Sequence, residues 1–88
     1  MDTDEFLKRS NDIMDGLDEL ADDLYEVVDE GITGEERESL ISQSKEKIHK
    51  YDDFIKELDD DDIEEAKGVL ERTINRLKNN VQKLELEE

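Results

Sequence analysis

The chain has 88 residues, a third of them apolar, no proline and no cysteine, and sets 29 acids against 12 bases for a formal net charge of -17. That length sets one domain, residues 1 to 88, with a small core, and the missing cysteine excludes a disulfide framework, a thiolate nucleophile and a cysteine zinc site. The charge disfavours direct contact with nucleic acid or an anionic membrane and favours a basic protein surface.

No uninterrupted apolar run exceeds two residues, so no segment has the composition of a membrane span. The acidic start MDTDEF lacks the basic region and the apolar stretch of a signal peptide. The expected location is the cytoplasm.

From Phe6 the apolar positions run Phe6, Ile13, Leu17, Leu20, Leu24 and Val27, with Ser10 filling the one gap in a rhythm of fours and threes. That spacing predicts a helix over residues 3 to 30 with one packed face. A flanking line, Leu7, Met14, Ala21 and Val28, recurs every seven residues and widens the face enough for two neighbours. Gly16 lies inside the rhythm and is read as a tolerated helical glycine, whereas Gly31 and Gly34 read as punctuation.

The second predicted helix covers residues 34 to 58, with Thr33 as its N-cap and Glu36 three residues later completing a capping box. Its expected seam is Ile41, Ser44, Ile48, Tyr51, Ile55 and Leu58, supported by Leu40 and Phe54. The third helix, residues 61 to 86, carries Ile63, Ala66, Leu70, Ile74, Leu77, Val81 and Leu84. Short connections favour antiparallel neighbours. The expected fold is all-α: an antiparallel three-helix bundle with coiled-coil-like packing, a larger coiled-coil oligomer being the alternative.

The acidic stretch ELDDDDIEEAKG, residues 57 to 68, invites comparison with a calcium loop. Such loops alternate oxygen ligands around a glycine; a loop begun at Asp60 has Glu65 where that glycine belongs, and one begun at Asp59 puts Ile63 at a ligand position. The same carboxylates suit the positive end of a helix dipole, with Asp61 and Glu64, or Asp62 and Glu65, forming first-turn contacts. No metal or cofactor is expected.

No catalytic residue is assigned either. His49 is the one histidine, no HExxH or glycine-rich phosphate loop occurs, and His49 falls on a polar flank with Lys45, Asp52 and Lys56. Tyr25 and Tyr51 fall on or beside packing seams and are expected at the edge of the core.

Charge distribution carries the functional expectation. Residues 1 to 30 hold twelve acids and two bases, whereas residues 31 to 58 hold seven and five. Asp15 and Glu19, Asp18 and Asp22, Glu19 and Asp23, Asp22 and Glu26, and Glu26 and Glu30 are like-charge pairs four residues apart. Each such pair costs about 0.2 to 0.5 kcal/mol on a solvated helix. Local stability would not select this pattern.

The expected interface is therefore Asp15, Asp18, Glu19, Asp22, Asp23 and Glu26, engaging the basic surface of another protein, as a nucleic-acid mimic that inhibits a DNA- or RNA-binding protein would. The competing uses of the charge are solubility, halophilic adaptation, and neutralisation within the fold by a basic line of Arg72, Arg76 and Lys83 on the third helix. The alternative function is a structural or adaptor subunit assembling through apolar helix faces, with Leu7, Met14 and Val28 available for a homodimer seam.

Overall fold

A computed structural model describes residues 2 to 86. Their regular structure is helical throughout: α1 spans Thr3–Met14, α2 Leu17–Glu30, α3 Glu35–Lys56 and α4 Asp60–Leu86. The molecule is a three-helix bundle whose first arm is made of two pieces, α1 and α2.

Cross-helix contacts fix the directions. Arg37 reaches Leu84 and Asp52 lies beside Lys78, so α3 and α4 run antiparallel. Asp18 meets Thr73 and Asp22 meets Arg76, so α2 and α4 run parallel, as the first and third members of an up-down-up bundle must. Phe6 against Phe54 and Asp12 against Lys50 set α1 antiparallel to α3.

The helix predicted over residues 3 to 30 is interrupted. Asp15 has φ -61° and ψ 116°, and Gly16 has φ 71° and ψ 4°, the two central conformations of a type II turn. That turn needs a positive φ at its third residue, which glycine adopts without a Cβ penalty. Apolar spacing is blind to the sign of φ, so the rhythm ran through the turn unbroken. Downstream, α2 ends where Gly31 enters the left-handed region and Ile32 donates its N–H to the Val27 carbonyl at 3.1 Å, the long bond of a Schellman motif.

The start of α3 also differs from expectation. Its N-cap is Gly34, with no side-chain cap, so the Thr33–Glu36 capping box does not form. Three glutamates in its first turn, Glu35, Glu36 and Glu38, still favour the dipole. The acidic stretch near residue 60 does open a helix: Asp60, Asp61 and Asp62 form the first turn of α4, and Ile63 donates to the Asp59 carbonyl at 2.8 Å.

Ile13, Leu17, Leu20, Ala21, Leu24 and Val27 from the first arm meet Ala66, Leu70, Ile74, Leu77, Val81 and Leu84 from α4 in one core. From α3 the buried residues are Ser44, Tyr51 and Phe54, with Leu58 buried in the connection that follows, while Ile41, Ile48 and Ile55 are only partly buried. Of the expected seam, Ser44, Tyr51 and Leu58 are buried as spacing requires, whereas its three isoleucines are displaced to the flank. Phe54 takes the centre with no exposed surface. Ser44 is tolerated in the core because its hydroxyl donates to the Leu40 carbonyl at 2.7 Å, which offsets the loss of water around it.

Candidate functional site

Helix α2 sorts its residues into two kinds. Leu17, Leu20, Ala21, Leu24 and Val27 are buried, and Val28 is half-buried. At 100° per residue, the remaining positions fall on the opposite arc. They are Asp18, Glu19, Asp22, Asp23, Tyr25, Glu26, Asp29 and Glu30, all exposed, and every one but Tyr25 is an acid. The helix contains no base.

Two of these acids have cross-helix partners on α4. Thr73 donates its hydroxyl to Asp18 at 3.4 Å, and Arg76 approaches Asp22 at 3.4 Å. Both contacts are long and exposed, so solvent screens them. The expected neutralising line is met in part: Arg76 lies beside the acidic flank, while no ion pair joins Arg72 or Lys83 to α2 among the described residues. Glu19, Asp23 and Glu26 point away from α4 on the helical wheel, and no ion pair reaches them among the described residues.

Asp15 stands apart from the other five predicted interface residues. It lies in the turn, its N–H donating to the Asn11 carbonyl at 2.9 Å, so it does not share a continuous helix with Glu19 and the helical i,i+4 spacing does not apply to that pair. Sequence reasoning missed Asp29 and Glu30, which extend the acidic face to the end of α2. Both sit at the negative end of the helix dipole, with no basic residue in the last turn. The signal was present: both are flanking positions of the same heptads.

Tyr25 is 56 % exposed, in contrast to the expected place at the core edge. Tyr51 is buried against the α3–α4 seam, and its phenol is raised above its ordinary pKa of 10.0 by burial first and by Glu71 and Asp52 next. A groove of about 400 Å³ beside it is lined by Ile55, Lys56, Lys67 and Lys78 as well as Asp52 and Glu71. His49 is exposed and lies 3.2 Å from Asp53, one turn along α3. Among the described residues, no three histidine, aspartate or glutamate side chains converge as metal ligands would, and no helix is long and apolar enough to cross a membrane.

No protein-family model matches the chain, and comparison with curated proteins and with solved structures returns no match.

Proposed function

We propose that this protein is a non-enzymatic binding domain whose α2 face engages a basic surface on another protein. The observation that carries the reading is the composition of that face: seven carboxylates, no base and one exposed tyrosine, on a helix whose other side is wholly apolar. Such a surface is costly to fold and useful to present. A field of one sign along a rigid helix speeds encounter with a cationic partner and rejects anionic ones. A partner that normally holds phosphates would meet a row of carboxylates in their place, the mimic form of the same function.

Replacing Asp18, Asp22 and Glu26 with Asn, Asn and Gln keeps side-chain size and removes three charges. With helicity retained by circular dichroism, association with a partner captured at low salt should slow and its salt dependence should flatten. Binding unchanged by these substitutions rejects the acidic interface. Binding that persists when the partner is saturated with DNA rejects the mimic form alone.

A second reading, a structural subunit assembling through apolar faces, draws on Leu7 and Met14, which are 51 % and 45 % exposed on α1. Light scattering on dilution separates the two, because an obligate oligomer loses mass and helix together whereas a self-sufficient bundle keeps its helix at monomer mass.

A further inference from the structure

We propose that the Asp15–Gly16 turn is a hinge, and that the first arm has a second state in which α1 and α2 join as one straight helix with α1 packed on α4. Three independent features of the chain meet in this inference.

The first is the heptad line Leu7, Met14, Ala21 and Val28. Its second half is covered, with Ala21 fully buried and Val28 half-buried, while its first half, Leu7 and Met14, lies in solvent. The line changes character at Gly16, where the type II turn takes α1 out of the helical register of α2. A continuous helix would restore Leu7 and Met14 to the same side as Ala21 and Val28.

The second is on α4. Val69 is 54 % exposed on the longest helix of the bundle. The parallel register of α2 and α4 pairs residue 18 with 73 and residue 22 with 76, and one turn earlier it brings Val69 level with Met14 and Asp15. The straight arm therefore brings Met14 to the height of Val69, and apolar surface on both helices leaves water together.

The third is how α1 is held. It packs on α3 and α2 and makes at most marginal contact with α4. It buries only Ser10 and Ile13 fully. Its other ties to α3 are Phe6 against Phe54 at 5.4 Å between ring centroids, Arg9 over the Phe54 ring and paired with Glu57, and Lys47 and Lys50 reaching Asp12. Two of these, Arg9–Glu57 and Lys50–Asp12, are partly exposed ion pairs of the kind that exchange easily for water. Straightening would also give the N–H groups at the start of α2 the i-4 carbonyls that the turn withholds.

Gly16 sets the balance. Nothing lies within 4 Å of a Cβ built there, so an alanine meets no clash and acts only through the backbone. A left-handed φ disfavours alanine and a helical φ favours it over glycine, so Gly16→Ala should shift the population toward the straight arm by roughly tenfold or more.

The chain has no cysteine, which makes a disulfide trap clean. Met14→Cys with Val69→Cys is oxidised in the full chain, with and without Gly16→Ala, beside an Asp18→Cys and Thr73→Cys control. An intramolecular cross-link that forms about tenfold faster in the Gly16→Ala protein, with the control rate unchanged, supports the hinge. Equal rates with and without Gly16→Ala, or disulfide-linked dimers in place of the intramolecular product, overturn it. If Gly16→Ala lowers helicity, the glycine-bearing pair decides alone: a cross-link that raises the helix content seen by circular dichroism supports the hinge, and a cross-link without that gain, or none after the control has gone to completion, overturns it.

Discussion

Helices α2 and α3 lie against each other and solve the same problem of solvation in opposite ways. On α3, charges of both signs alternate and find partners: Lys50 lies between Glu46 and Asp12, His49 lies beside Asp53, Lys45 reaches Glu85, and Asp52 faces Lys78. On α2 the exposed arc is acidic but for Tyr25, and among the described residues its one ion pair is with Arg76 at 3.4 Å. The apolar faces differ in the reverse sense. Helix α2 buries a clean stripe, whereas α3 buries Ser44, Tyr51 and Phe54 and leaves its isoleucines half-covered. Stability on α2 thus comes from below the helix and is opposed from above it. On α3 the polar face, mixed in sign, opposes folding less.

The widest gap between the two helices should appear in core truncations. Leu24→Ala, at a site with no exposed surface, should lower unfolding free energy by about 2 to 5 kcal/mol through lost transfer energy and a residual cavity. Ile48→Ala, on the half-covered flank of α3, should cost about 1 to 2 kcal/mol, because part of its surface already meets water. Urea midpoints measured side by side test the contrast, and equal losses would remove it.

Charge reversal at the end of α2 sharpens the comparison from the other side. Glu30→Lys places a cation at the negative end of the dipole and one turn after Glu26, and should stabilise the fold by about 0.5 to 1 kcal/mol at low ionic strength. In ~1 M salt, where the screening length falls to about 3 Å, most of that gain should vanish. A destabilised Glu30→Lys protein would mean that the acidic face carries structural contacts of its own. Lys50→Gln on α3 removes exposed pairs at 3.6 and 3.8 Å and should change stability by less than about 0.5 kcal/mol at any salt concentration.

The smallest effect is confined to alkali. Burial, Glu71 and Asp52 raise the Tyr51 phenol above 10.0, so near and above that pH the folded state holds a proton that the unfolded state releases. Stability from this source is complete below pH 10 and declines as pH rises through the folded-state value. Tyr51→Phe should flatten the decline between pH 10 and 12 in thermal melts, and an unchanged slope would assign it to other groups.

The sequence pattern was most readable where one physical requirement acted alone. Leucines and isoleucines of α4 recur with no competitor for the core, and Leu70, Ile74, Leu77 and Leu84 are all buried as spacing requires. On α3 two apolar lines compete, and volume decides: Phe54 and Tyr51 fill the space between three helices better than Ile48 or Ile55. Spacing cannot rank such lines. Nor can it see that Gly16 turns left-handed, which needs knowledge of how α1 meets α3. For the candidate interface, the acids of α2 were legible as a cluster because they interrupt the apolar rhythm at every polar position. Which of them face Thr73 and Arg76 was not, since that depends on the parallel register of two helices far apart in sequence.

Arg37, in the first turn of α3, donates to the carbonyl of Leu84 in the last turns of α4 at 2.5 Å. The clasp joins two points 47 residues apart along the chain, so it has mechanical meaning. Tension applied through the end of α4 would reach the head of α3 through this bond as well as through the packed interface and the α3–α4 connection at the far end of the molecule. Load entering there is shared by two helices from the outset. Load entering through α1 meets a single short helix on a glycine turn, so the two ends of this rod differ in stiffness, and a stretched molecule would yield first at its beginning.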